Sequence, residues 1–238
     1  PQLRLERSVL SPDGRRVAMS DAFRRVLVGE MGSTNGVWRA LPISGGQILR
    51  FSNNGLWLAS GPGPEGFLTV WDLQTSRPIF RHQAKSGVVI FSPDDRWVMA
   101  SAERDYCLWE TGSWKAVWRL SSRATESCIM PADFSPDGQL LALVAKGSAV
   151  ELLDPETAEV FALLTPAEGS VIQWVRFSPD GENLAVMTRT YGLHVWNLRA
   201  LREELAKLSL DWLQPTFSPR PPARAPEAVQ VVFQTEAQ

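Results

Sequence analysis

The residues best placed by type to do chemistry are aspartates in a repeated tetrapeptide. Asp137 stands for them: it lies in "DFSPDGQLLAL", residues 133 to 143, and a carboxylate beside a glycine is a natural candidate for acid–base or metal-binding work. Nearly the same words recur as "VLSPDGRRVAM", "RFSNNGLWLAS", "IFSPDDRWVMA" and "RFSPDGENLAV", so whatever Asp137 does is done in five places. In the second copy the equivalent residue is Asn54, which keeps the turn chemistry and loses the carboxylate. A catalytic aspartate would not be replaced this way while the turn survives.

The other candidates are sparse. His82 and His194 are the only two histidines and fall in different copies of the repeat, which argues against a shared two-histidine metal site. Cys107 and Cys128 lie in apolar, strand-like runs without the paired spacing of a zinc site. They read as buried free thiols, with a disulfide left open. No Gly-x-Ser-x-Gly elbow, His-Glu-x-x-His helix or phosphate loop is present, and the prolines in "GPGPEG" at 61 to 66 remove the backbone donors that a phosphate cradle needs.

The elements around these residues follow from the repeat. Its turn words begin at Leu10, Phe51, Phe91, Phe134 and Phe177, spaced by 41, 40, 43 and 43 residues, which is the period of a four-stranded propeller blade. Within each period, short β-branched and aromatic runs such as "GGQILRF", "LWLAS" and "FLTVWDL" are separated by Gly, Pro, Asn and Asp, the punctuation of strands and turns. Ser-Pro-Asp-Gly fits a type I turn, with Ser first, Pro second because its ring presets φ, and Gly fourth. Asp suits the third place because its short carboxylate can bond nearby N–H groups. A later strand ends near Trp71, Trp109 or Trp196 in three copies, and Leu153 stands where the fourth copy should have its Trp.

Phe-Ser-Pro-Asp-Gly, a Leu-Ala-Ser-like strand and then "VWDL" some 20 residues on resemble a WD40 blade, and the likeness runs from residue 1 to about 198. It implies an all-β propeller with turns at 10–14, 51–55, 91–95, 134–138 and 177–181, five recognisable blades in what can be a seven-bladed ring. The periplasmic TolB-type propellers share the turn word but end their third strand differently. The family's Gly-His pair survives only as Arg81-His82, and its turn aspartate is Glu65 in the second copy, so the resemblance makes His82 a structural remnant. It implies a non-enzymatic platform for a protein or peptide, with no cofactor or metal.

Net charge bounds the partners. Lys plus Arg number 24 against 26 Asp plus Glu, a net charge of −2, so no general field draws the chain to nucleic acid or to an acidic membrane. Eight Arg against four acids in the first 50 residues include Arg15, Arg16, Arg24 and Arg25, but a strand's length separates the two pairs. The expectation is therefore no nucleic-acid patch. No apolar run approaches the roughly 20 residues that cross a bilayer, and the amino-terminal residues lack the order of a signal peptide. We expect a cytoplasmic protein, and the start without Met reads as a processed chain or as part of something longer.

After Trp196 the apolar period lengthens. Leu198, Leu201, Leu205, Leu208 and Trp212 form one stripe, with Arg202, Glu203, Glu204 and Lys207 opposite, so the pattern predicts an amphipathic helix over 199–213 in place of the fifth blade's outer strand. A proline-rich linker at 214–228 and a terminal strand at 229–234, able to pair with an open sheet edge, complete the expected order. This ending is similar to the carboxy-terminal propellers of large bacterial signalling proteins that often follow a Ser/Thr kinase domain, which implies a covalently linked kinase as a possible neighbour.

The channel-lining strands "RSVL", "QILRF", "VVIF", "PADF" and "QWVRF" read as mainly apolar, without convergent carboxylates or histidines. The competing readings are a propeller hydrolase or lyase with a channel site, or a purely structural domain. WD40 polarity would put the loops after each second strand on one face, making Phe23, Arg24, Arg104 and Tyr191 the candidate partner-binding residues, because aromatics and Arg favour interface anchors.

Overall fold

The computed structural model describes residues 5–21, 25–32, 38–44, 48–61, 66–84, 87–102, 105–121, 131–167, 169–190 and 192–212. The contact residues Phe23, Arg24, Arg104 and Tyr191, Cys128, the linker at 214–228 and the strand at 229–234 lie outside them.

Every repeat folds as its own antiparallel sheet, with strands paired in chain order. The first holds β1 (Leu5–Leu10), β2 (Arg16–Asp21), β3 (Arg25–Glu30) and β4 (Arg39–Ser44). The second holds β5 (Ile48–Phe51), β6 (Trp57–Gly61), β7 (Phe67–Asp72) and β8 (Arg77–Gln83). Then come β9 (Val89–Phe91), β10 (Trp97–Ala102), β11 (Asp105–Glu110) and β12 (Ala116–Ser121), followed by β13 (Ala132–Phe134), β14 (Leu141–Ala145), β15 (Ala149–Leu153) and β16 (Val160–Leu164). Among the described residues the fifth sheet holds β17 (Ile172–Phe177), β18 (Asn183–Thr188) and β19 (Leu193–Asn197), and the helix α1 (Leu198–Lys207) follows directly.

The repeated words set the geometry of each sheet. In the fourth copy Ser135 Oγ donates to Asp137 Oδ1 at 2.6 Å and accepts from the Leu140 N–H, while Asp137 Oδ1 accepts from the Gln139 N–H. Gly138 N–H closes the turn on the Ser135 carbonyl, with Gly138 at φ 72°, a left-handed conformation that costs glycine nothing. The same bonds recur around Ser11, Ser52, Ser92 and Ser178. Asp137 is thus a turn residue. On the third strands the pairing slips at Trp71, Trp109 and Leu153, which shows that Leu153 occupies the tryptophan position. Trp71 Nε1 donates to Ser60 Oγ at 3.0 Å, a buried side-chain bond between the second and third strands of its blade.

The core lies between sheets. Four apolar clusters join consecutive sheets, for example Leu58 and Trp71 against Ala18 and Val26, and Leu141 and Leu143 against Met99 and Leu108. Central strands are therefore buried on both faces, β14 throughout, and each such Leu stabilises by about 2 kcal/mol. Tyr106 adds a polar pin. Its hydroxyl donates to the Val144 carbonyl at 3.0 Å and accepts from the Val144 N–H at 3.1 Å. Val144 lies one residue beyond the stretch of β14 paired with β13, so a neighbouring blade satisfies its backbone.

The first strands β1, β5, β9, β13 and β17 neighbour one another in sequence order, the arrangement of blades about a common axis. The outward face of the fifth sheet stays bare: Trp174, Met187, Leu193 and Val195 are 42, 37, 68 and 56% exposed. Among the described residues no buried cluster joins this sheet to the first.

The helix is shorter than its apolar stripe. Asn197 caps it by accepting from the Ala200 N–H at 2.8 Å, and it ends in paired bonds from Ser209 N–H to Ala206 and Leu210 N–H to Leu205. Ser209 takes φ 59° there, the left-handed stop usually given to glycine. Leu208 is consequently exposed, while Arg202, placed by the periodicity on the polar side, is buried. Its guanidinium bonds both Asp211 oxygens at 2.9 and 3.0 Å and lies over the Trp212 ring, and this local neutralisation lets a charge sit on the inward face.

Candidate functional site

The first strands end at a shared cavity. A strand alternates its side chains between two faces, so the residue before the first apolar residue of each turn word (Leu10, Phe51, Phe91, Phe134 or Phe177) points differently from it. These residues are Val9, Arg50, Ile90, Asp133 and Arg176, and all five border one cavity of about 420 Å³. Pro12, Pro93, Pro136 and Pro179, the second residues of four turns, form its rim, with Asn53 in the second copy. The cavity therefore opens on the end of the molecule that carries the turns.

Three charged groups meet there, which the strands' apolar texture hid. Asp133 Oδ2 accepts from the Phe177 N–H at 2.8 Å, and its other oxygen lies 3.5 Å from Arg176 Nη1. Burial raises the Asp133 carboxyl above its ordinary range, against the pull of the Phe177 N–H, Arg176 and Arg50. The Arg50 backbone pairs with β6, but its side chain makes no hydrogen bond or ion pair among the described residues. Burial first and the Arg176 charge second push its guanidinium below its usual value, with Asp133 opposing. Two cations and one carboxylate leave the mouth with a surplus positive charge. The useful sequence signal was the single position before that first apolar residue, read across the copies: Val, Arg, Ile, Asp, Arg.

This arrangement can hold an anion. Among the described residues no group of three or more His, Cys, Asp or Glu is placed to hold a metal. His82 is half-buried on β8, its ring 4.6 Å from that of Trp109 on the next sheet, and burial followed by the Arg119 charge lowers its pKa. His194 lies on β19, in a different blade. Cys107 is a buried free thiol whose pKa burial raises. Among the described residues no helix is long and apolar enough to cross a membrane.

Among curated proteins nothing matches the chain. Residues 89–175 match the family model described as the WD40 domain of anaphase-promoting complex subunit 4, a span from the first strand of the third sheet into β17. With its antiparallel sheets, each built on one copy of the repeat, the chain is an all-β, WD40-like propeller with a short carboxy-terminal helix.

Proposed function

We propose that the chain is a non-enzymatic scaffold that binds a protein or peptide. The observation that carries this reading is the use made of the repeated aspartates. Each spends its carboxylate on a turn serine and a backbone N–H, as Asp137 does, leaving the fold to present surface and not reactive groups. The WD40 match supports it, since the matched model describes a domain of a multisubunit complex. The bacterial, cytoplasmic, kinase-linked setting belongs to the same proposal and rests on the likeness of the carboxy-terminal sequence.

The contact surface we propose is the set of loops after each second strand, with Phe23, Arg24, Arg104 and Tyr191 as anchors. Capture of a partner by the immobilised wild-type chain, compared with Phe23→Ala plus Tyr191→Ala, tests it. The double variant should lose most of the bound partner while melting like the wild type. Undiminished capture would move the contact elsewhere.

A further inference from the structure

The turn-side cavity is a second candidate surface, at the starts of the second strands and not at their ends. Its five bordering strand positions converge because every inner strand ends in the same turn, and only three of them carry charge. The Asp133 carboxylate is already engaged by the Phe177 N–H and faces Arg176, so it does not neutralise both guanidiniums. Arg50 faces the same space with no anion of its own among the described residues. A guanidinium held beside another cation in a concave site gains most from a carboxylate, which it can engage through two parallel N–H bonds.

The rest of the lining selects the kind of carboxylate. Val9, Leu10, Ile90 and Phe91 add an apolar part to a lining that is otherwise polar, and Leu10 is an exposed residue. A volume near 420 Å³ exceeds what a single carboxylate fills and suits a short peptide segment with an apolar neighbour beside its acid. We propose that Arg50, aided by Arg176, is an anchor for a carboxylate-bearing peptide entering the channel from the turn side.

This ligand is a peptide, so it deepens the scaffold reading, but at a site that the Phe23 and Tyr191 experiment does not touch. A direct test is calorimetric titration with a panel of end-blocked pentapeptides that carry one central Glu between varied apolar residues, each paired with its Gln counterpart. Sodium acetate is the free-anion arm. At least one Glu peptide should bind about 10-fold or more tightly than its Gln partner, weaken on Arg50→Gln and weaken with added salt. Arg176→Gln, which leaves Arg50 in place, should weaken it less. Arg50→Gln should melt like the wild type, since the Arg50 side chain makes no hydrogen bond or ion pair among the described residues, whereas Arg176→Gln gives up its contact with Asp133 and its binding is compared at a temperature where it remains folded. Equal binding of every Glu and Gln pair, no binding by any, unchanged binding in Arg50→Gln, or acetate binding as tightly as the peptides would each overturn the proposal.

Discussion

Asp95 of the third blade accepts hydrogen bonds from the backbone N–H groups of Asn53 and Asn54 in the second, at 2.7 and 2.6 Å. Both partners depart from the repeated turn word: Asn53 stands where the other copies have proline, and Asp95 where they have glycine. The departures compensate each other. In two other pairs of blades a turn's proline packs beside the next turn's glycine, Pro93 at Gly138 and Pro136 at Gly181, where an added β-carbon would lie 3.7 and 3.4 Å from the ring. Proline has no N–H, so only a residue such as Asn53 can donate to Asp95. Asp95 in turn accepts the left-handed φ of 56° to reach it.

The two positions should therefore be coupled. Asn53→Pro and Asp95→Ala, made singly, should each cost about 1–3 kcal/mol in urea unfolding, because each breaks part-buried bonds to a charged acceptor. Asn53→Pro with Asp95→Gly rebuilds the ordinary pair and should be more stable than the summed single changes Asn53→Pro and Asp95→Gly by about 1 kcal/mol. Strict additivity would contradict the compensation.

The turn carboxylates should be exchangeable for amides. Asn54 accepts from the Leu56 N–H at 2.8 Å just as Asp137 accepts from Gln139 at 3.0 Å. Asp137→Asn should shift stability by no more than about 0.5 kcal/mol, whereas Ser135→Ala, which strips a buried N–H of its acceptor, should cost about 1–3 kcal/mol. A large effect from the first substitution would return Asp137 to the list of functional groups.

Tyr106→Phe keeps the ring and removes the hydroxyl that satisfies Val144. A loss of about 1–3 kcal/mol is expected, with hydrogen exchange rising at the Val144 amide. Unchanged protection at that amide would show that Tyr106 is not its partner in solution.

His82 makes stability depend on pH in a defined direction. Its folded pKa lies below the ordinary value near 6.5, so the unfolded chain takes up a proton first as the solution is acidified. Stability from this group is complete above about pH 7 and declines as pH falls through the unfolded value toward the folded one. The wild type should therefore lose more melting temperature than His82→Phe between about pH 7.5 and about pH 5.5. Asp133, whose raised carboxyl pKa favours the fold in acid, acts with the opposite sign and lower on the scale. Parallel profiles for the two proteins would remove the His82 contribution.

Much of this architecture was legible because the turn word is a local code. Ser135, Pro136, Asp137 and Gly138 state their conformations without reference to distant residues, and their spacing measured the blades. What escaped depended on contacts the order of residues does not announce. The stop of α1 uses Ser209 in place of glycine, so the stripe seemed to run on to Trp212. Arg202 is buried because Asp211 returns to meet it. Arg50, Asp133 and Arg176 lie more than 40 residues apart and converge only because their strands share an axis.

The central claim, that the chain works by binding peptide or protein surface, is tested most directly by panning a random peptide library against the immobilised protein. Enriched peptides should share a motif, bind in the micromolar range or tighter, and lose affinity with Arg50→Gln or with Phe23→Ala plus Tyr191→Ala. Failure to enrich any sequence above uncoated resin would contradict it.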